Sequence, residues 1–234
     1  MKIDNKILKQ FLKQVNLDNS LNEVVLNFEK EGLSVCQMTP DSVALVNAKL
    51  SSSAFTEYDK FDKLAFDNLN LFIKFLDLFG DENIDIKMEK NYLYITNENE
   101  NGNFILTSED YIKKETEMPK IEYKNTLKID SLVLKEKTKA SELLSSDFGE
   151  ISFVIKDEIL IIETGETHKI RKTIKLTEKT EDCKVKFGNY INKCSKLLQD
   201  EVVIKLNKDM PITIEQKSDN SRVTYIIAPK ISDD

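Results

Sequence analysis

Residues able to do covalent or acid–base chemistry are few in this 234-residue chain, and their spacing does not suit it. His168 is the single histidine, and the six glycines form no phosphate-binding loop. Cys36, Cys183 and Cys194 are odd in number and unrelated in spacing, which fits reduced thiols inside a cell better than a disulfide frame or a zinc site. No serine or cysteine sits in a nucleophile motif, and Asp and Glu are scattered over turns and strands. The pattern argues against an enzyme, and no catalytic residue, metal or cofactor is assigned. Lysine is what recurs with order. Lys6, Lys9 and Lys13 lie on one segment, Lys74 on a second, Lys135 and Lys139 on a third, and Lys193 and Lys196 on a fourth. Lysine is a mobile point charge that attracts phosphate without bidentate geometry, and such contacts carry no sequence information. The plainer alternative is a solvated helix face.

Each lysine group sits on a short amphipathic helix, on the side away from its apolar residues. In Ile7 to Val15, Leu8, Phe11, Leu12 and Val15 share one face. The other helices are expected at Leu69 to Phe79, Ser131 to Leu144 and Tyr190 to Leu198. An alternating apolar hairpin follows each helix. The hairpins turn at Glu29 to Gly32, Glu89 to Asn91, Lys156 to Glu158 and Asn207 to Asp209. Helix and hairpin thus recur four times at a period of roughly 60 residues, longer than ordinary solenoid repeats. A hairpin with one short helix cannot stand alone, so two such units per domain would pack helices on sheets in an α+β fold. Helix–hairpin alternation is also common in α+β proteins generally.

Hydrophobic residues make up 40% and charged residues 32% of the chain, which is the balance of a globular protein. No apolar run approaches the ~20 residues of a membrane span, and no signal peptide opens the chain. The net charge of −7 argues against a general nucleic-acid binder. A nucleic-acid role therefore requires the lysines to be sorted onto one surface. The charged stretch from Lys113 to Lys124, with Pro119 inside it, reads as an extended linker. It divides the chain into domains at 1–113 and 126–234, joined by 114–125.

The last stretch, Glu201 to Ile231, reads as three short strands that end in Ile226-Ile227-Ala228-Pro229 beside an acidic tail. Apolar residues ending a strand at a surface are normally hidden or used for docking. The Asp209-Met210-Pro211 turn and the run Tyr225 to Ile231 resemble the carboxy-terminal end of DNA sliding clamps of the proliferating cell nuclear antigen (PCNA) family, in archaeal-like or viral and bacteriophage form. Gly32 to Met38 with Ser42 to Val46 resembles the family's first hairpin and following strand. Met118-Pro119 and Glu122-Tyr123 resemble its interdomain connector. Gly165-Glu166-Thr167 with Ile174-Lys175-Leu176 is similar to a second-domain strand pair. The likeness spans nearly all of the chain. Two departures stand out: only Met1-Lys2-Ile3 is available for the first strand, which implies a trimmed edge, and Asn97 to Asn103 reads as a polar turn without a family counterpart.

The resemblance implies two similar clamp domains, each with helices on one side and sheets on the other. Three copies would close head to tail into a ring around duplex DNA. It places Lys9, Lys74 and Lys196 at DNA-facing positions; Asp77 counts against uniform positivity. It implies a pocket for partner peptides from a polymerase, a clamp loader and other DNA enzymes, using Met38, Leu45, Met118, Pro119, Pro211, Ile226, Ala228 and Pro229. Ordinary core packing is the alternative for Met38, Leu45 and Ile226. Subunit contacts need strand edges, and the candidates are Phe104 to Ile112 and His168 to Leu176. There Tyr111 and Ile112 would meet Lys169, Arg171 and Ile174 of another copy. The basic run could equally be solvated edge charge. Rival readings are a heteromeric-clamp subunit, a monomeric processivity factor, and an interaction scaffold that never touches DNA.

Overall fold

The computed structural model describes the chain with residues 60, 62, 114, 145–148, 166 and 231–234 left aside. Ile231 of the carboxy-terminal run, Glu166 of the second-domain strand pair and Lys114 of the linker therefore lie outside the described residues. The chain divides into two compact units. One holds Met1–Pro40, Val46–Met118 and Lys217–Val223; the other holds Asp41–Leu45, Pro119–Gln216 and Thr224–Asp234.

The elements of the first half run β1 (Lys2–Asp4), α1 (Asn5–Asn16), β2 (Val24–Glu29), β3 (Gly32–Met38), β4 (Ala44–Ser51), β5 (Phe55–Glu57), β6 (Lys63–Phe66), α2 (Leu69–Asp77), β7 (Asn83–Glu89), β8 (Tyr92–Thr96) and β9 (Asn101–Ile105). The second half runs β10 (Asn125–Asp130), α3 (Ser131–Leu144), β11 (Ile151–Lys156), β12 (Ile159–Thr164), β13 (Ile170–Lys175), β14 (Cys183–Phe187), α4 (Tyr190–Leu197), β15 (Glu201–Leu206), β16 (Ile212–Lys217) and β17 (Ser221–Ile227). An antiparallel hairpin follows every one of the four helices: β2–β3, β7–β8, β11–β12 and β15–β16. The α+β fold and the fourfold helix–hairpin unit are both present.

Helix ends follow local chemistry. The Asp4 carboxylate accepts from Lys6 N at 2.7 Å and caps α1. Leu17, Asp18 and Asn19 all take positive φ and stop the helix, with Asn16 Oδ1 accepting from Asn19 N at 2.8 Å. Asn68 Oδ1 caps α2 by accepting from Leu71 N at 2.9 Å, and Asp130 Oδ1 takes Leu132 N at 2.8 Å at the start of α3. In the first unit, α1 buries Leu8, Phe11, Leu12 and Val15, and α2 buries Leu69, Phe72, Ile73 and Leu76. The second unit buries Leu134 of α3 with Ile191 and Cys194 of α4.

The first unit contains a sheet in the order β5-β1-β7-β8-β9, and the run β6-β2-β3-β4. Although β1 is short, it is not a trimmed edge. It pairs with β5 on one side and β7 on the other. The polar stretch from Asn97 also differs from expectation. Its turn is confined to Asn97–Glu100, where Asn97 Oδ1 accepts from Asn99 N and Glu100 N at 2.9 and 2.7 Å. Asn101 then begins β9, which pairs with β8 in register Tyr92↔Ile105. Gly102 lets β9 lie under an aromatic cluster: a Cβ there would stand 2.8 Å from Phe75 Cζ. Phe66, Phe72, Phe75 and Phe104 form that cluster, with ring centroids 4.7 to 6.1 Å apart.

The second unit contains a four-stranded sheet in the order β13-β12-β11-β14, and the run β10-β15-β16-β17. Hydrogen bonds explain why the unit boundary is more interleaved than a cut at a single linker. Ser51 N donates to Asn220 O at 2.8 Å within the first unit, and Ala228 N donates to Val43 O at 2.9 Å within the second. Residues 115–118 also join the first unit. Thr116 N donates to Cys36 O at 3.0 Å.

Gly32 opens β3 at φ 132°, where a Cβ would stand 2.0 Å from Leu50 O and 2.6 Å from Ser52 N, both backbone atoms. Gly32→Ala is therefore expected to lower unfolding free energy by about 2–4 kcal/mol, combining a left-handed backbone with a clash that no side chain can relieve. Urea unfolding of the two proteins measures it, and a midpoint equal to wild type would contradict the strain.

Candidate nucleic-acid and partner surfaces

Of the expected lysines in the first unit, Lys6 and Lys13 on α1 and Lys74 on α2 are exposed. Lys9 departs from the expectation. It is only 8% exposed, and its Nζ lies 3.1 Å from Asp77 Oδ1 and 2.9 Å from Asp81 Oδ1. The same Nζ donates to Gly80 O at 3.1 Å. Asn5 Nδ2 adds donations to Leu76 O and Gly80 O, both at 2.7 Å. Together they bond carbonyls at and just beyond the end of α2, where a cation also meets the negative end of the helix dipole. Burial alone would lower the Lys9 pKa, but its hydrogen bonds to the accepting carboxylates of Asp81 and Asp77, with their charges, outweigh it and the pKa is raised. Asp81 moves the opposite way, held below the usual carboxylate range first by its hydrogen bond to Lys9 and then by that charge. Asp77, the residue that counted against a uniformly positive face, is thus half of a structural ion pair.

In the second unit, Lys139 on α3 and Lys196 on α4 are exposed, and Lys135 and Lys193 are half-buried. Lys196 Nζ pairs with Glu142 Oε1 at 2.8 Å. Lys193 Nζ sits 5.2 Å from the Tyr190 ring centroid, in cation–π range. Between α3 and α4 the contact is small and polar, with Ser195 Oγ donating to Thr138 Oγ1 at 3.0 Å. All four helices carry lysine on the side away from the core, with Lys9 and Lys196 already matched by carboxylates.

The docking residues divide by environment. In the first unit Met38 is half-buried and Met118 is exposed. The linker beside them is fastened down. Gln37 Nε2 donates to Lys113 O at 3.2 Å, the Asn27 side chain donates to the Glu115 carboxylate, and Asn47 Nδ2 meets Met118 Sδ at 3.6 Å. In the second unit Pro119 is exposed, and Pro211, Ala228 and Pro229 are half-buried. Tyr123 OH is held by Pro211 O at 3.1 Å and Thr213 Oγ1 at 2.6 Å. Leu45 and Ile226 are buried in that unit, so they pack the core and offer little surface.

At the edges, β13 pairs only with β12 among the described residues, and β9 pairs only with β8. Lys169 and Arg171 both bond to Glu163, whose carboxyl is held low by the Arg171 hydrogen bond despite some burial. Ile174 is half-buried. Tyr111 is 81% exposed, but it lies in a 3₁₀ turn at Glu109–Tyr111, outside the strand. Ile112 is a correction: it is buried with Val25 and Ala65 inside the first unit and has no surface for a second copy. Ile105, 60% exposed on β9, falls within the expected edge span Phe104 to Ile112, while Tyr94, exposed on the neighbouring strand β8, was missed in the sequence. Alternation along β8 carried its signal, but β9 itself reads as polar.

The thiols have no activated environment. Burial, then the Glu115 charge, pushes Cys36 up, and burial pushes Cys183 and Cys194 up as well. Among the described residues no group of three or more His, Cys, Asp or Glu could hold a metal ion, and no helix is long and apolar enough to cross a membrane.

The whole chain aligns with solved clamp structures. It covers 100% of its own length and 98% of an A. fulgidus PCNA solved with the C-terminal region of FEN-1, at TM-score 0.86 and 19% identity. It covers 98% of its length and 99% of a chain from the PCNA2–PCNA3 complex of Sulfolobus tokodaii, at TM-score 0.80 and 18% identity. No family model matches the sequence. Among curated relatives, it is 27% identical over 231 residues to DNA polymerase sliding clamp 1 of Thermococcus kodakarensis, covering 92% of each chain. It is likewise 27% identical over 245 residues to the DNA polymerase sliding clamp of Pyrococcus furiosus, covering 96% of each. The paired helix–hairpin units and these relatives make the chain similar, along its whole length, to DNA sliding clamps. Its fold is that of the PCNA structures, and the curated proteins it is similar to over its whole length are DNA polymerase sliding clamps.

The Lys9–Asp81 pair predicts a pH dependence. A carboxylate with a depressed folded pKa contributes stability that is present above its unfolded value, about 3.9, and lost as pH falls through the folded value. Asp81→Asn should therefore lose less stability than wild type between about pH 5 and pH 3. Urea midpoints across that range test it, and parallel curves would remove Asp81 from the acid response.

Proposed function

We propose that the protein is a DNA polymerase sliding clamp, a processivity factor that encircles duplex DNA and tethers polymerase and other replication and repair proteins. The carrying observation is that each of the four helices buries one side in its own unit and presents lysine on the other. Such a face attracts phosphate without reading bases. Lys6, Lys13, Lys74, Lys135, Lys139, Lys193 and Lys196 are the DNA-facing groups of this reading, and Lys9 holds the end of α2. Encirclement, more than affinity, retains the protein on DNA, so ion pairing at Lys9 and Lys196 is tolerable. No reaction is catalysed; the tethered enzymes supply the chemistry. The setting is wherever the cell replicates DNA: cytoplasm or nucleoid in a prokaryote or infected host, nucleus in a eukaryote.

A homotrimer closed head to tail is the assembly proposed, with the open edges of β9 and β13 as the joint. The basic run Lys169, Arg171, Lys172 and Lys175 opposes the acidic Glu109 and Asp110 in sign, which favours a heterologous contact. Partner peptides would place apolar and aromatic anchors against Met38, Met118, Pro119, Pro211, Ala228 and Pro229. The relative from A. fulgidus, solved with a FEN-1 segment, supports that reading. Flexible methionines suit a surface that takes several partners.

Sedimentation should return about three times the 27.0 kDa chain mass. A single-chain mass would overturn the homotrimer in favour of a heteromeric or non-encircling member. Lys6, Lys13, Lys74 and Lys139, all changed to Glu, should keep that mass and lose retention on circular DNA and polymerase processivity; unaltered processivity would leave the lysines without a DNA role. Met118→Ser with Pro229→Ser should weaken binding of an anchor-bearing peptide at least about tenfold, since each anchor buries roughly 1.5–3 kcal/mol of apolar side chain. Unimpaired peptide binding would displace the docking assignment.

A further inference from the structure

The lysine-bearing sides of α2 and α3 also carry leucines that are exposed among the described residues. Leu71 on α2 and Leu78, the residue that caps its end, are 53% and 67% exposed, and Leu132 and Leu143 on α3 are 59% and 83% exposed. Spacing places them in line with the lysines. Leu71, Lys74 and Leu78 follow at three and four residues along α2. Leu132, Lys135, Lys139 and Leu143 follow at three, four and four along α3. Residues three and four apart are neighbours on one helix face. Two helices in different units thus carry a similar stripe, with lysine at the centre and a leucine beyond each end, and on α3 the exposed Glu136 shares that face between Leu132 and Lys139. Helices α1 and α4 expose lysine without such leucines.

Leucine has no role in attracting phosphate, and it costs solubility where it is left bare. A protein partner would want a contiguous apolar centre. Here Leu71 and Leu78 are seven residues apart, about 10 Å along the axis, with a charge between them. A nucleic-acid backbone alternates in the same manner, with anionic phosphates separated by sugars whose faces are hydrocarbon.

We propose that the Leu–Lys–Leu stripes of α2 and α3 are composite contacts for the sugar–phosphate backbone, lysine taking phosphate and Leu71, Leu78, Leu132 and Leu143 taking deoxyribose. This rests on the sliding-clamp reading. It adds a part of DNA association that does not depend on counterion release. Lysine contacts make log K fall linearly with log salt, by about 0.9 for each phosphate neutralised on duplex DNA. Apolar contacts shift the whole line without changing its slope.

The test is titration of a short fluorescent duplex with the intact assembly at several salt concentrations. Leu71→Gln with Leu78→Gln, and separately Leu132→Gln with Leu143→Gln, should each weaken binding about three- to tenfold at every salt concentration, with unchanged slope. Lys74→Gln with Lys139→Gln should instead flatten the slope. Wild-type affinity in the leucine variants at all salt concentrations overturns the proposal. A changed slope overturns it as well, and so does loss of an acidic amphipathic protein partner with DNA binding intact. Retention of the wild type on circular DNA is scored in parallel. If the wild type is not retained, the clamp reading itself fails; if it is retained and the leucine variants bind normally, only the leucine contact fails.

Discussion

The structure depends on a constraint at each helix. Helices of eight to fourteen residues are too short to hold together alone in water, so each must bury an apolar stripe. The hairpins laid down after each helix help to supply the sheets on which such stripes are buried. Because the burial is one-sided, the opposite side of each helix is left to solvent, and lysine can collect there at little cost. Four repetitions sort positive charge in a chain whose net charge is −7.

Sorting alone does not make every lysine available. Lys9 bonds the Gly80 carbonyl in the turn just beyond α2, and with Asn5, which also reaches Leu76 O, it ties α1 to the end of α2. Its removal from the pool of mobile charges has a structural return, because the end of α2 gains donors that water would otherwise have to provide. Asp77 and Asp81 then keep a poorly hydrated ammonium charged. Lys196 gives up its freedom more cheaply, since it and Glu142 are both half-exposed and the pair is screened. On the four helices, the exposed lysines outside these pairs are Lys6, Lys13, Lys74 and Lys139.

Much of this was legible in the residues. Apolar spacing in Leu8, Phe11, Leu12 and Val15, and alternation in Ile84 to Met88 or Ile151 to Ile155, are direct prints of one-sided burial. What stayed hidden depends on contacts distant in sequence. The burial of Lys9 requires the end of α2, some seventy residues on, and no local pattern announces it. Strand β9 was unreadable because Asn101, Gly102 and Asn103 replace apolar residues, and the glycine is there for the rings of Phe75 and Phe79. Ile112 looked like an edge residue by its neighbours, yet it fills a gap beside Val25 and Ala65. The burial of Leu45 and Ile226 was open in the sequence, because an apolar residue in a strand reads the same whether it meets a core or a guest.

The two edges of the second unit's four-stranded sheet are treated differently. On the β14 side, Lys230 N donates to Lys186 O at 2.8 Å and the Lys230 ammonium pairs with Glu150, so Lys230 is bonded to that edge. The β13 side has no such cover among the described residues, and its outward residues are almost all exposed. An uncovered edge invites any strand to add, and basic side chains narrow the invitation to a partner that is acidic or at least not basic. With one edge bonded by Lys230 and the other lined by basic side chains, β13 is the open edge of this four-stranded sheet among the described residues. A chain with one donor edge and one acceptor edge assembles head to tail, and such an assembly stays finite only if it closes.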